Sequence, residues 1–179
     1  MKHVAMLLGF GAALGLACSA DMLAVSSDMR IDEDRTVSQI VFTGGYALTG
    51  TGRITLEEMG GGIQVQSGAA TLANPVVFSG SQDQQIDLAA AASLDQTGVW
   101  SGPAPLKVHG GARDTSVLHL HGANTFTGDL TADGPCTLHA YGDTAFGTAD
   151  GGTFWTCSRA DVRTTPRTAA GALRARDGS

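Results

Sequence analysis

Apolar and polar residues alternate in short runs along most of the chain, and glycine separates one run from the next. A period of two puts apolar side chains on one face of each run and polar ones on the other, as in a β-strand. The clearest runs cover residues 40–42, 53–56, 63–65, 76–78, 86–88, 106–108, 117–120 and 137–140. With 25 glycines and 16% charged residues, the sequence predicts an all-β domain of short strands joined by tight bends.

The connections between these runs distinguish an antiparallel sandwich or barrel from a parallel β-solenoid. Asn-Gly and Asp-Gly pairs, which close antiparallel hairpins, are nearly absent beside the best runs. Leu-His-Leu-His at 118–121 aligns with Leu-His-Ala-Tyr at 138–141, twenty residues later. A repeat of this length is typical of a coil of stacked parallel strands. We therefore predict a parallel β-helix of about six turns over residues 37–155, with residues 21–36 as a lead-in.

The same alignment predicts which side chains enter the core, because residues one turn apart lie over each other in a solenoid. The side chains expected to point inward are those of Leu118, Leu120, Leu138 and Ala140. Those expected to form an outward strip are His119, His121, His139 and Tyr141. Like residues should therefore form columns along the coil.

Residues 1–20 have the pattern of a secretory signal peptide. A short basic start precedes an apolar run at 4–17, and small residues follow up to Ala20. The run is too short to span a bilayer comfortably. We predict an exported chain cleaved near Ala20, with lipid attachment at Cys18 as the alternative.

Acidic residues dominate the body of the chain, where 15 Asp and Glu stand against five Lys and Arg between Asp21 and Gly152. Such a surface repels nucleic acid, so no nucleic-acid partner is expected. Residues 156–179 are rich in Thr, Ala, Gly and Arg and lack a strand period. We predict a disordered basic tail there.

Two cysteines, Cys136 and Cys157, lie outside the predicted signal peptide. A disulfide between them requires a short distance that the sequence does not give. The simpler interpretation is a packed Cys136 and an exposed thiol at Cys157.

Residues 118–147 resemble the autotransporter-associated β-strand repeat, whose pattern runs approximately L-x-L-x-G-x-N-T-[YF]-[ST]-G-x-T-x-[IV]-x-x-G-x-L. The matching residues are Leu118, Leu120, Gly122, Asn124, Thr125, Phe126, Gly128, Gly134, Leu138 and Gly147. The resemblance implies a right-handed parallel β-helix in a bacterial passenger domain that is displayed at the cell surface or secreted. At the bend between the two strands, Asn124 can bond its own backbone and tolerate a left-handed conformation, Gly128 permits a positive φ, and Phe126 could fill the corner.

The chain also departs from the family pattern. Leu130 stands where the repeat has Thr, and Pro135 and Cys136 interrupt the approach to the last strand. After Gly152 there is no alternating series of the kind that builds an outer-membrane barrel. We therefore expect a fragment, or a passenger-like module that reaches the outer membrane only through a barrel or another export partner.

Three histidines, His119, His121 and His139, would lie on one outward face of the predicted coil. Imidazoles in such a group can bind Zn²⁺ or Cu²⁺. The simpler interpretation is a row of solvent-facing polar side chains, because no carboxylate is fixed beside them by the pattern. No metal or cofactor is therefore predicted.

A β-helix can also carry polysaccharide lyase or hydrolase chemistry, in which carboxylates bind Ca²⁺ or act as an acid and a base. The residues to consider for this chemistry are Asp83, Asp87, Asp95, Lys107 and Arg113. Because the acidic residues are spread one to a loop, we predict solvation and turn formation for them, and no catalytic residue.

Four aromatic residues could form a platform that stacks on sugars, with packing at the ends of turns as the simpler interpretation. They are Tyr46, Trp100, Tyr141 and Trp155. Taken together, the sequence favours a non-enzymatic surface stalk or adhesin, with a host-surface or glycan ligand as its expected partner. The alternative is a carbohydrate-active enzyme on the same scaffold.

Overall fold

The computed structural model describes residues 21–57, 61–111, 115–142 and 144–148, and the backbone of three strands at 153–155, 159–161 and 173–175. These residues contain strands and no helix. In chain order the strands are β1 (Met22–Val25), β2 (Met29–Arg30), β3 (Arg35–Val37), β4 (Gln39–Phe42), β5 (Ala47–Thr49), β6 (Ile54–Leu56), β7 (Gly62–Val65), β8 (Ala69–Leu72), β9 (Val76–Phe78), β10 (Gln84–Leu88), β11 (Ser93–Gln96), β12 (Trp100–Ser101), β13 (Leu106–Gly110), β14 (Ser116–Leu120), β15 (Leu130–Asp133), β16 (Cys136–Ala140), β17 (Thr153–Trp155), β18 (Arg159–Asp161) and β19 (Leu173–Ala175).

These strands form three parallel sheets, which are the three faces of a β-solenoid. Face A has the order β1-β4-β7-β10-β13-β15-β17-β19, face B the order β2-β5-β8-β11-β14-β16-β18, and face C the order β3-β6-β9-β12. Within the described residues, every strand pairs with a strand one turn away, and every pair is parallel. The predicted all-β parallel solenoid is therefore confirmed.

The inward side chains form continuous columns in the core. On face A, Ile40, Ile63 and Ile86 lie in register in successive turns, and each is fully buried. On face C, Val76 lies beside Trp100, and the Trp100 ring packs edge-on against Phe78 with centroids 5.2 Å apart. Complete burial of one such side chain contributes about 1.5–3 kcal/mol, so the columns are the main source of stability.

The length of a turn is not constant, in contrast to the single interval that the sequence alignment suggested. Leu118 is indeed in register with Leu138, as predicted. Leu118 is also in register with Leu94, and Ile86 with Ile63, and both of these intervals are longer. Extra residues enter at the corners, where they do not disturb the two-residue period of the strands.

The solenoid also begins earlier than the alternation in the sequence suggests. Strands β1 to β3 lie mainly within residues 21–36, described above as a lead-in, and Leu23, Val25 and Ile31 close the core there. Toward the other end, β18 and β19 lie within residues 156–179, for which we predicted disorder. These two short strands continue faces B and A by parallel pairing, and the other residues of 156–179 lie outside the described residues. The predicted signal peptide at 1–20 lies outside the described residues.

Candidate functional site on face B

The residues of the predicted repeat lie in β14, in the bend that follows it, and in β15, β16 and the chain after β16. Leu118, Leu120 and Leu138 are fully buried in the column of face B, as predicted for inward positions. Phe126 is 1% exposed and lies in the bend that follows β14, which also agrees with the prediction. The repeat residues therefore build the core and a bend.

Asn124 connects turns in a way that the sequence did not reveal. Asn124 does not use the left-handed conformation that it can tolerate, because Ala91 is the one non-glycine with a positive φ among the described residues. Instead, buried Asn124 accepts a hydrogen bond from the Trp100 amide at 2.9 Å and donates one to the Ala145 carbonyl at 2.8 Å. Its amide thus joins the turn before it to the turn after it. Gln96 completes the cluster by donating to Asn124 Oδ1 at 2.9 Å.

Glycine is required at Gly128 for close packing and not for its backbone angle. Gly128 does not use the positive φ that glycine permits, whereas Gly134 and Gly147 have φ values of 80° and 83°. A Cβ atom on Gly128 would collide with carbonyl oxygens of the preceding turn, at Pro103 and Ala104. Stacked turns leave little room where the chain bends, so the corner excludes side chains.

Two further repeat residues lie at the same bend. Gly122 is confined beside the side chains of Gln96 and Asn124. Thr125 is exposed, and its amide donates to the Trp100 carbonyl at 2.8 Å. Gly122 and Thr125 therefore have structural roles, in which they allow the backbone to turn the corner and bond the preceding turn.

The four outward rings of face B form one stacked cluster, which we call the ring cluster: His119, His121, His139 and Tyr141. His121 and Tyr141 are parallel to within 1° with centroids 4.1 Å apart. His119 and His139 stack at 5.0 Å, and the two pairs lie side by side. The predicted outward strip therefore exists, because residues in register one turn apart present their rings to each other.

A hydrogen bond joins two members of the ring cluster, and a carboxylate lies beside a third. His119 Nδ1 lies 3.1 Å from the Tyr141 hydroxyl, and His121 Nε2 lies 2.9 Å from Asp95 Oδ1. Burial lowers the pKa of His119, and the neighbouring His139 lowers it further, against a smaller opposing effect of Asp95. The neutral imidazole is therefore the form that the folded protein favours at position 119.

Stacking determines which chemistry the histidines can perform. Imidazoles that bind one metal ion must aim nitrogen lone pairs at a common point about 2 Å away. Here the planes of His119, His121 and His139 are nearly parallel, with angles of 19° and 20°. No group of three or more His, Cys, Asp or Glu side chains in the described part of the chain is arranged to hold a metal ion.

A cavity of about 380 Å³ opens beside the ring cluster on the outer side of face B. Its lining residues are Ala69, Ala70, Thr71, Ser93, Asp95, His119, His121 and Tyr141. Small side chains from β8 and β11 form one part of the lining, and bulky rings from β14 and β16 form the other. Asp95 lies between them, in register with Thr71 on one side and His119 on the other.

Asp95 is the member of this site that the sequence did not connect with the histidines. It is in register with His119 across one of the longer turns, whereas the repeat visible in the sequence follows the shorter turn from His119 to His139. A search at that shorter interval places no carboxylate in the histidine column. The signal that could have found it is the alignment of Ser-Leu-Asp-Gln at 93–96 with Val-Leu-His-Leu at 117–120.

The acidic residues considered for catalysis do not come together. Asp83 forms an ion pair with Lys107 at 2.5 Å, which raises the pKa of the Lys107 ammonium. Asp87 projects from face A, where it is in register with His109, whereas Asp95 belongs to face B. A shared acid and base site would need these carboxylates on one surface. Arg113 lies outside the described residues.

The aromatic residues considered as a sugar platform are also dispersed. Trp100 is fully buried in the core, as the simpler packing interpretation predicted. Tyr46 is partly buried against the core, and Tyr141 is 40% exposed in the ring cluster. The side chain of Trp155 lies outside the described residues. Tyr141 is therefore the member of this set that takes part in the face B site.

Cys136 is 1% exposed and faces the core, which agrees with the packed position predicted for it. Cys157 lies outside the described residues, so its predicted exposure and the pairing of the two cysteines stay open.

A scan against protein-family models finds no family that matches this chain, and comparisons with curated proteins and with solved structures give no match. The resemblance of residues 118–147 to the autotransporter-associated repeat therefore stays a prediction. Within the described ranges, no helix has the length and apolar character needed to cross a membrane.

Proposed function

We propose that this chain is a non-enzymatic, exported β-solenoid module of an autotransporter-like passenger, which acts as a surface stalk or adhesin. The observation that supports this proposal most is the continuity of the core columns. Ala70, Leu94, Leu118 and Leu138 lie in register across four turns, and each is at most 1% exposed. Parallel turns joined in this way make a stiff, extended body.

The outer surface fits the same role because its polar groups are spread along the faces. Asp83 and Lys107 neutralise each other, and Asp87 and Asp95 belong to different faces. A repeated surface of this kind suits contact with an extended partner better than chemistry at one point. We place the module at the cell surface, on the outer membrane or in the secreted fraction.

Export is tested with the full chain expressed in a Gram-negative bacterium, followed by fractionation and by mass measurement of the mature amino terminus. We expect a protein outside the cytoplasm that begins near Asp21. Leu8→Arg places a charge in the apolar run and should retain the chain inside, while Arg167→Ala in the tail serves as the control. Accumulation of the unprocessed native chain in the cytoplasm would contradict the proposal.

The enzymatic alternative is tested by incubating the purified chain with polygalacturonate and with neutral polysaccharides, with and without Ca²⁺. We expect no change in chain length or reducing ends. Cleavage that disappears in Asp83→Ala, Asp87→Ala or Asp95→Ala would establish the carbohydrate-active enzyme in place of the stalk.

A further inference from the structure

We propose that the cavity beside the ring cluster binds a neutral hexopyranose unit of a glycan. This inference rests on the proposed surface role and assigns a ligand class to face B. The cavity is a depression open to solvent with a volume of about 380 Å³, which is at the lower end of the range of roughly 300–1,000 Å³ that is typical of small-molecule sites.

The shape of the site suits a flat ring with one apolar side. Ala69, Thr71 and Ser93 leave a low shelf on β8 and β11, and the rings of β14 and β16 rise beside it. Stacked aromatic planes are rigid and present apolar surface with polar tips. A pyranose can rest its C–H groups on the shelf while its hydroxyl groups reach the polar atoms around the edge.

The polar groups of the cavity match sugar hydroxyls. The Asp95 side chain is 44% exposed, and its Oδ1 atom lies 2.9 Å from His121 Nε2. A carboxylate accepts hydrogen bonds from hydroxyl groups strongly, because one partner is charged. Ser93 and Thr71 add hydroxyl groups that both donate and accept, so the cavity offers partners around a sugar ring.

The charge of the site indicates a neutral sugar. Among the described residues, no Lys or Arg lines the cavity, and Asp95 is its one carboxylate. The lowered pKa of His119 keeps that ring neutral near pH 7. A uronic or sialic acid would place a second negative charge beside Asp95 on an already acidic protein, which is unfavourable. A metal ion is disfavoured by the parallel imidazoles described above.

The test uses the full chain and three immobilised neutral probes: maltotetraose, cellotetraose and mannotetraose, with tetragalacturonate as the anionic comparison. We expect at least one neutral probe to bind in the presence of EDTA and tetragalacturonate to bind at least tenfold more weakly. Asp95→Ala should weaken the binding about tenfold or more, because it removes the charged acceptor. Ser93→Phe should abolish binding by filling the shelf.

Asp87→Ala is the matched control, since it removes a carboxylate at a strand position on face A and should leave binding unchanged. Circular dichroism and thermal melting establish that each variant is folded. The inference is overturned if the folded native chain binds none of the neutral probes, if Asp95→Ala and Asp87→Ala have equal effects, or if EDTA removes the binding. Export without sugar binding overturns this inference alone, whereas failure of export overturns the proposed function.

Discussion

The first turn (β1 to β3) and the fifth turn (β13, β14 and the bend that follows) of the solenoid contribute different side chains to the contacts with their neighbours. In the first turn, exposed Asp28, Asp32 and Asp34 each accept a hydrogen bond from a backbone amide of the second turn. In the fifth turn, buried Asn124 reaches the turns on both sides. Both devices act at corners, where the strands end and backbone amides lose their regular partners.

The contrast follows from what each position must satisfy. At an exposed corner, water can donate hydrogen bonds to the backbone carbonyl groups. Only the backbone amide then needs a partner from the protein, and a carboxylate accepts its hydrogen bond. A buried corner leaves both an N–H and a C=O group without water, and a side-chain amide supplies an acceptor and a donor together. The environment of the corner therefore decides between Asp and Asn, while the columns of the core are common to both regions.

The largest expected effect comes from shortening a side chain in the core columns. The loss in the free energy of unfolding should be the same in both regions. Leu48→Ala in β5, which is in register with Met29 of the first turn, and Leu118→Ala in β14 of the fifth turn each remove a fully buried side chain from face B. We expect each to lower the free energy of unfolding by about 2–5 kcal/mol, as measured by urea denaturation. Val117→Ala, on the outer side of β14, is the control. A large effect at one site and almost none at the other would show that the two regions do not share a core.

Asn124→Ala should have the next largest effect, because it leaves the Trp100 amide and the Ala145 carbonyl buried without partners. The cost of such groups predicts a loss of roughly 2–4 kcal/mol in the free energy of unfolding. Thr125→Ala, at the exposed neighbouring position, should change stability by less than about 0.5 kcal/mol. Equal stability of the two variants would contradict the bridging role of the Asn124 amide.

Asp34→Ala should have a smaller effect, confined to the contact between the first and second turns. Asp34 Oδ1 accepts the Arg53 amide at 2.8 Å, and loss of a comparable exposed capping bond costs about 1 kcal/mol. We expect faster hydrogen exchange at Arg53 with little change at Tyr141 in the sixth turn, whose amide donates to the Leu120 carbonyl. Glu33→Ala, an exposed acidic neighbour, is the control. Unchanged hydrogen exchange at the Arg53 amide would contradict the role of Asp34 in joining the first two turns.

The smallest effect is a difference in the pH at which the two regions loosen. The pKa of Asp32 is lowered, first by its hydrogen bond from Arg30 and then by the Thr51 amide, so its contribution is present above the unfolded pKa of about 3.9 and is lost as pH falls below it. The pKa of His119 is also lowered. Because the folded state disfavours imidazolium there, its stabilising effect is present above about pH 6.5 and is lost as pH falls through lower values.

Acidification from pH 7 to pH 5 should therefore lower the protection of the His121 and Tyr141 amides, expressed as exchange relative to the unfolded chain at the same pH, before it affects Thr51 and Arg53. The groups that face His119 are Asp95, His121, His139 and Tyr141. His119→Phe keeps a ring in the cluster without a titrating nitrogen and should reduce the change, whereas His109→Phe on face A should not. If the amides of both regions lost protection together near pH 6, His119 and Asp32 would not control the two regions separately.

The sequence predicts the fold well because alternation depends only on the two-residue period of a strand. Leu118 and Leu138 are in register as the alignment indicates, and the histidines next to them face outward together. The first turn was harder to see because β2 and β3 are short and rich in charge. Their pairing depends on Asp side chains that bond the next turn, which no local pattern reveals.

The candidate site was only partly predictable for a related reason. Contacts within it join positions one turn apart, and the turn from Leu94 to Leu118 is longer than the turn from Leu118 to Leu138. A search for residues in register with His119 at one fixed sequence separation therefore finds His139 but misses Asp95. The role of Asn124 was missed because a turn residue and a buried bridge have the same sequence signature.

Parallel stacking is the central claim, and nuclear Overhauser contacts between strands test it most directly. The account predicts contacts from backbone protons of Leu94 to those of Ala70 and Leu118, and from Leu118 to Leu138, in the pattern of parallel strands. Strong contacts between the α-protons of consecutive strands, such as β10 and β11, would show antiparallel hairpins and would contradict it.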